Sequence, residues 1–315
     1  MEKFGFENEE NRRSFEEQFR EREAIKTDGG KVDTIDVDLG SPDKVPVLMA
    51  PAWGCTMNVY EAAIKQLAEE SSEPDDKGNK KEKRRVISLD YARFGGSGTS
   101  PAEAVEEYPE EEIRKAKAIL GVLKEKGIEK TDAITHSESA INVIMAALVE
   151  PEKFRNIVLF APAGLIGKDT FTRLVKGFSG QFKGRAGVES MSTIPVTETE
   201  KKVGAVAGKE GAKYFAKNPL RALKEGVAIS NSQIHEALRY LHGKDIGVCV
   251  ISGVDDPVFP MKRLQKIVKA DMLDGFLSVR GGHGAVGEHP EHYIEAAKGM
   301  LAAMENKQVK NSLVG

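Results

Sequence analysis

A chain of 315 residues with 40% apolar content and a formal net charge of −3 is long enough to bury a sizeable core. Forty-six Lys and Arg against 49 Asp and Glu leave no global basic excess, which argues against a nucleic-acid binder. Two cysteines, Cys55 and Cys249, make no disulfide framework. With no signal-peptide apolar core near the start and no apolar run of membrane-spanning length, a cytoplasmic location is the expectation.

Residues 1–23 read as a charged arm, in which Phe15 and Phe19, four apart, mark a short amphipathic helix within Asn11 to Arg22. It is a packing arm or a dimer contact, and the sequence leaves the oligomeric state open. Ala24 to Lys26 and Val32 to Val37, joined at Asp28-Gly29, form a hairpin. Val45 to Ala50 is a buried strand and Tyr60 to Glu69 a helix. Glu73 to Arg85 is a charged loop facing water. Val86 to Leu89 is the next strand. Pro109 to Lys126 is a helix that opens on Pro and ends at Gly127, with Ile113, Ala116, Leu120 and Leu123 on one face. A strand at Ala133, a turn and a helix to Val149 follow. Further strands lie at Ile157 to Phe160, Val248 to Ser252 and Phe276 to Val279, and further helices at Met261 to Lys269 and Pro290 to Met304. Cys249 falls in the apolar run Val248 to Ile251 and reads as a buried thiol.

This alternation predicts an α/β fold: a mostly parallel sheet with helices on both faces, preceded by an antiparallel hairpin. Residues 164–243 break the rhythm with helical, glycine-punctuated sequence and no strand. They read as an inserted helical lid dividing a core made of residues 24–163 and 244–315.

Thr135-His136-Ser137-Glu138-Ser139 joins an apolar strand to a helix. A serine on such a turn has its hydroxyl pushed out of the backbone, and the helix N-terminus behind it favours developing negative charge. Ser137 is therefore the candidate nucleophile; its plainer reading is an N-cap. A serine nucleophile needs a base, a carboxylate to orient that base and N–H donors for the oxyanion. Of six histidines, His283 lies in Arg280-Gly281-Gly282-His283-Gly284, directly after a strand, where glycines allow close approach. His289 and His292 fall at a helix start and on a helix surface. His235 and His242 fall in the insertion, and the His136 side chain should point away from the serine hydroxyl. The carboxylate belongs to Gly253-Val254-Asp255-Asp256-Pro257, past another strand. The plain reading of that segment is turn chemistry.

The linear order Ser137, Asp256, His283 is that of the α/β-hydrolases, and from Ala24 to Met304 the chain resembles this superfamily in its lidded form. Pro51-Ala52-Trp53-Gly54 resembles the oxyanion turn His-Gly-x-Gly. Ser88 to Gly98 resembles the Asp-x-Arg-Gly-x-Gly-x-Ser block. Gly253-x-x-Asp256-x-x-x-Pro260 resembles the acid loop and selects Asp256 over Asp255, and Gly282-His283 resembles the histidine loop. The resemblance implies Ser137 as nucleophile, His283 as base, Asp256 as its orienting acid, and the backbone N–H groups of Trp53 and Glu138 as oxyanion donors. Thr135 and Ser139 depart from the glycines of the family's Gly-x-Ser-x-Gly elbow.

The implied activity is hydrolysis of an ester or related acyl bond of a small molecule. Rival readings are an acyltransferase or carbon–carbon hydrolase with the same triad, and a catalytically silent small-molecule receptor or carrier, which the irregular elbow keeps open. No metal or cofactor motif is present: there is no HExxH or CxxC, and Gly95 to Gly98 lacks the Gly-Lys-Ser/Thr ending of a phosphate loop. Lys168 to Glu225 holds twelve Lys or Arg against six Asp or Glu. This excess reads first as solvated helix surface and second as an attractor of anionic substrates. Phe171, Leu174, Val175 and Phe178 form an apolar stripe that faces the core or the pocket. Gly177, Gly180, Gly184 and Gly187 suggest a lid able to move.

Overall fold

A computed structural model of the protein describes residues 13–40, 45–69, 83–91, 110–167, 169–179, 198–217, 219–269 and 271–314. Eight strands form one sheet: β1 (Glu23–Thr27), β2 (Gly30–Val37), β3 (Val47–Ala50), β4 (Val86–Asp90), β5 (Thr131–His136), β6 (Phe154–Phe160), β7 (Gly247–Gly253) and β8 (Gly275–Val279), in spatial order β1-β2-β4-β3-β5-β6-β7-β8. The β1–β2 and β2–β4 pairings are antiparallel, and the other five are parallel. The chain therefore has the predicted mostly parallel sheet with an antiparallel N-terminal hairpin.

Strand pleat explains the two cores. Successive side chains point to opposite faces. Ile157 and Leu159 of β6 join Val248 and Val250 of β7 on one face, under α3 (Glu110–Glu125), α4 (Ser139–Val149) and α8 (His235–His242). Val158 and Phe160 join Cys249 and Ile251 on the other, under α1 (Phe15–Arg20), α2 (Glu61–Ala68) and α11 (Pro290–Val314). Burial on both faces is why these strands read as continuous apolar runs.

Three boundaries differ by more than two residues from the sequence expectation. The first helix is confined to α1, because Ser14 caps it in a box with Glu17; Phe15 and Phe19 stack at 5.3 Å and are buried against this same chain. Strand β6 starts at Phe154. Its charged Arg155 is held in the sheet by a two-pronged bond to the buried Asp132 carboxylate of β5, at 2.9 and 2.6 Å. The last helix continues ten residues beyond Met304. The charged segment at 73–82, the glycines at 95–98 and Gly180, Gly184 and Gly187 lie outside the described residues.

Among the described residues between β6 and β7 run four helices: α5 (171–179), α6 (Glu198–Lys217), α7 (Pro219–Asn231) and α8. The remaining short helices, α9 (Met261–Ile267) and α10 (Ala285–Glu288), follow β7 and β8. The chain passes from β3 to β4 on one side, then crosses to β5 on the other. The loops after β3 and β5 thus part at the carboxyl edge of the sheet, where open α/β sheets hold ligands.

Candidate active site

The β5 strand ends at His136 and α4 begins at Ser139, so Ser137 sits on the turn between them. Its φ of 58° is left-handed, an uncommon conformation for a residue with a side chain, and such positions gather at functional sites. Two backbone bonds hold it: Ser137 N–H donates to the Phe160 carbonyl at 3.0 Å, and Ala163 N–H donates to the Ser137 carbonyl at 3.0 Å. Ser137 is not an N-cap. Glu138 takes that position without a side-chain capping bond, and the Ser137 hydroxyl faces His283.

The two residues that replace the glycines differ in how they fit. Ser139 Oγ accepts from His136 N–H at 2.8 Å and donates to the Ala50 carbonyl at 2.8 Å, pinning the elbow to the end of β3. Thr135 is buried, and its Oγ1 has no hydrogen-bond partner among the described residues.

His283 follows β8 and Asp256 follows β7. His283 Nε2 lies 3.0 Å from Ser137 Oγ, and His283 Nδ1 lies 2.9 Å from Asp256 Oδ2. All three residues are at most 5% exposed. The other oxygen of Asp256 accepts the amides of Val258 and Phe259 at 2.7 and 3.0 Å. Burial alone would raise the Asp256 pKa, but the adjacent imidazole and these N–H groups outweigh it and hold the carboxyl below its usual value. Asp255, the rejected neighbour, is exposed. A Cβ at Gly253 would lie 2.2 Å from the Gly281 carbonyl, so the acid and histidine loops meet backbone to backbone only because no side chain stands there.

His136 is the residue whose part the sequence did not show. Its side chain reaches the backbone of the histidine loop. Ala52 N–H donates to the Tyr60 hydroxyl at 3.0 Å, Tyr60 lies 2.7 Å from His136 Nδ1, and His136 Nε2 lies 2.7 Å from the His283 carbonyl. An amide can only donate and a carbonyl can only accept, so the bonds run in one direction. Tyr60 donates to Nδ1, and the His136 proton is on Nε2. Burial, with His283 as the second cause, pushes the His136 pKa down to about 3, so this ring is neutral. These bonds tie the turn after β3 to the backbone of His283.

The Trp53 and Glu138 amides have no acceptor among the described residues. Gly54, with φ of 69°, lets the turn after β3 fold back. A cavity of about 350 Å³ opens against Ser137 and His283, walled by Trp53, Phe171, Val175, Phe178, Ala207 and Phe215. Three of the four stripe residues of α5 face it, and only Leu174 is buried in the core. Glu288 is the only charged side chain in its lining among the described residues. Gly177 is no hinge by default: a Cβ there would lie 2.8 Å from the Pro257 carbonyl, so it serves the close approach of α5 to the acid loop. His235 bonds the Leu165 carbonyl at 2.9 Å and His242 lies 3.4 Å from Asp274, outside the site.

Behind the turn after β3 lies a buried ionic cluster that the sequence does not announce. Lys115 of α3 lies 2.5 Å from Glu138 and 3.1 Å from Glu225 of α7, and Arg221 adds a contact to Glu225 at 3.1 Å. Glu112 accepts from Asn142, and burial together with the neighbouring Glu138 carboxyl pushes its pKa well up. For Glu225 burial works in the same direction, but Lys115 and Arg221 outweigh it and favour the carboxylate.

No protein-family model matches the chain, and no curated protein matches it in sequence. Solved structures do match in fold. A hydrolase from Pseudomonas aeruginosa aligns at TM-score 0.61 and 16% identity, over 90% of this chain and 98% of its own. A thermophilic esterase from Thermogutta terrifontis aligns at 0.60 and 18%, over 90% and 99%. An enol-lactonase from Burkholderia xenovorans aligns at 0.59 and 12%, over 89% and 100%. Likeness at such identity speaks for architecture. With the strand order and crossovers described above, it shows that this chain has the α/β-hydrolase fold.

Proposed function

We propose that the protein is a serine hydrolase that cleaves an ester or related acyl bond of a small, uncharged, partly apolar molecule. The observation that carries this reading is the continuous series Asp256–His283–Ser137, with links of 2.9 and 3.0 Å in a buried site. His283 Nε2 takes the Ser137 proton as the hydroxyl attacks the carbonyl carbon. Asp256 holds the ring through Nδ1 and stabilises the imidazolium that forms. The negative charge on the carbonyl oxygen is met by the amides of Trp53 and Glu138. Collapse of the adduct gives an acyl-serine, with the His283 proton passing to the leaving oxygen. Water, deprotonated by His283, then releases the acid.

The apolar walls of the cavity favour an uncharged substrate. The insertion's excess of Lys and Arg adds no cation to its lining among the described residues. Residues 164–243 act as the lid in this reading, since α5 and α6 supply one wall.

A fluorophosphonate probe should label Ser137, and Ser137→Ala should abolish both labelling and turnover of an activated ester such as p-nitrophenyl butyrate. Loss on the order of 10⁴-fold or more is expected from removing the nucleophile. Full turnover in the variant would end the proposal, whereas no labelling and no turnover in the wild type would favour the receptor reading.

A further inference from the structure

Glu225 is separated by 172 positions from Trp53, yet its carboxylate touches the side-chain networks of both proposed oxyanion donors. Its side chain is fully buried. Oε2 accepts the Trp53 indole N–H at 3.0 Å and the Tyr214 hydroxyl. Oε1 lies 3.1 Å from Lys115 Nζ, and the same ammonium lies 2.5 Å from Glu138 Oε1. Trp53 is thus held directly and Glu138 through one intermediary. Arg221, one turn earlier on α7, supports the same carboxylate.

Two physical arguments give this arrangement a role. First, an oxyanion hole works by preorganisation, since its donors must already point where charge will develop. A backbone amide cannot be aimed by its own atoms alone; it follows the side chain and the packing that fix its peptide plane. Second, burying an ammonium and several carboxyl groups costs desolvation that their mutual attraction rarely exceeds, so apolar residues would serve stability as well or better. A buried ionic cluster that contributes little to stability but reaches both donors is suited to fixing geometry.

We propose that Glu225 is a positioning residue: from helix α7 it sets the orientation of Trp53 and, through Lys115, of Glu138, so that the oxyanion hole is complete only with α7 docked. This rests on the serine hydrolase reading above. Glu210 of α6 also reaches the turn, accepting the Thr56 amide at 3.0 Å and Asn58 Nδ2 at 3.1 Å, but it touches neither donor residue.

The test compares wild type, Glu225→Gln and Glu225→Leu in the full chain. Reactive serines are counted by fluorophosphonate titration, and kcat and KM are measured on p-nitrophenyl butyrate per titrated site. Trp53, the only tryptophan, reports its own surroundings through its emission. The kcat per site should fall about 10-fold in Glu225→Gln and about 10²-fold in Glu225→Leu, approaching the loss seen when one oxyanion donor is removed. The KM should stay within about threefold, because ground-state binding is untouched. Trp53 emission should shift in both. Leu223→Ala, an exposed position on the same helix, should leave kcat unchanged. If Glu225→Leu does not fold, the nearly isosteric Glu225→Gln decides alone. A variant that keeps the wild-type kcat per titrated site while its Trp53 emission shifts overturns the inference and leaves the hydrolase reading intact. A wild type that neither reacts with the probe nor turns over ester overturns the hydrolase reading, and this inference with it.

Discussion

The turn Ala52-Trp53-Gly54-Cys55 separates two unlike environments. On one side is the apolar cavity against Ser137; on the other, the side chains of Lys115, Glu138 and Glu225 meet in a buried ionic cluster. The difference divides the labour of the site. In the proposed hydrolase, apolar walls would exclude water, so that the few dipoles aimed at the reacting carbonyl act in a low dielectric. Charged groups so close would bind water or compete for the oxyanion if they faced the same space. Placed behind the turn, they hold it without touching the substrate. Trp53 belongs to both sides: its ring packs edge-on against Phe215 at 5.0 Å, and its N–H reaches Glu225.

The comparison breaks most visibly at Lys115. Lys115→Met leaves Glu138 and Glu225 facing each other without their shared cation, and should cost about 3–5 kcal/mol in urea denaturation at pH 7. Replacing the three together (Lys115→Met, Glu138→Leu, Glu225→Met) should recover most of that stability without recovering kcat. A triple variant as unstable as the single one would make the cluster a stability element and undo the division proposed here.

Acid should expose the opposite property of the apolar side, its refusal of charge. His136 is held neutral, with its pKa lowered from 6.5 to about 3 by burial and by His283. Because the folded value is depressed, the contribution is present in full above pH 6.5 and is lost as pH falls toward 3, where the unfolded chain takes up a proton that the folded one rejects. The slope from this group alone approaches about 1.4 kcal/mol per pH unit. Urea denaturation at pH 7, 5 and 4 measures it, and His136→Gln should flatten the profile by one proton. An unchanged slope would mean that His136 already charges in the folded state.

Much of this architecture could be read from residues alone because its signals are local. Val47 to Ala50 and Val248 to Ile251 are apolar runs with no alternative to a buried strand. Ser137, Asp256 and His283 each stand just past such a run, in the order one fold family uses. What could not be read depends on partners far away in sequence. The apolar positions of α3 are legible, but no local signal marks Glu112 and Lys115 on that helix as buried. They are buried because Asn142, Glu138 and Glu225 arrive from other elements to meet them. Arg155 hid the first half of β6 for the same reason, since its partner Asp132 is in β5. Gly177 suggested mobility, and only the proximity of Pro257 shows what its missing side chain allows.

Smaller effects are expected where the two sides press on each other. Gly226 follows Glu225 on α7, and a Cβ there would lie 2.4 Å from the Phe171 ring and 3.0 Å from the Trp53 ring. Gly226→Ala should therefore cost about 1–3 kcal/mol in the same denaturation assay, because both rings must move for one methyl group. A variant as stable as wild type would show that this wall is loose.

Ala207 tests the cavity without disturbing the cluster. It contributes to the lining from α6, while the cluster draws on α3, the elbow, α7 and, on α6, Tyr214, seven residues further along the helix. A phenyl ring at this position projects into the cavity and takes space that the apolar part of the substrate would fill. Ala207→Phe should lower kcat/KM for p-nitrophenyl octanoate about 10-fold or more, in line with the 1–3 kcal/mol that small changes in an apolar pocket carry. The acetate ester should be affected less than threefold, because its acyl group needs little beyond the space next to Ser137. Equal losses on both esters would mean that the ring disturbs the oxyanion turn itself. Equal retention would mean that the apolar chain lies elsewhere. Only a loss that grows with chain length fits a cavity that holds the substrate while a separate cluster holds the turn.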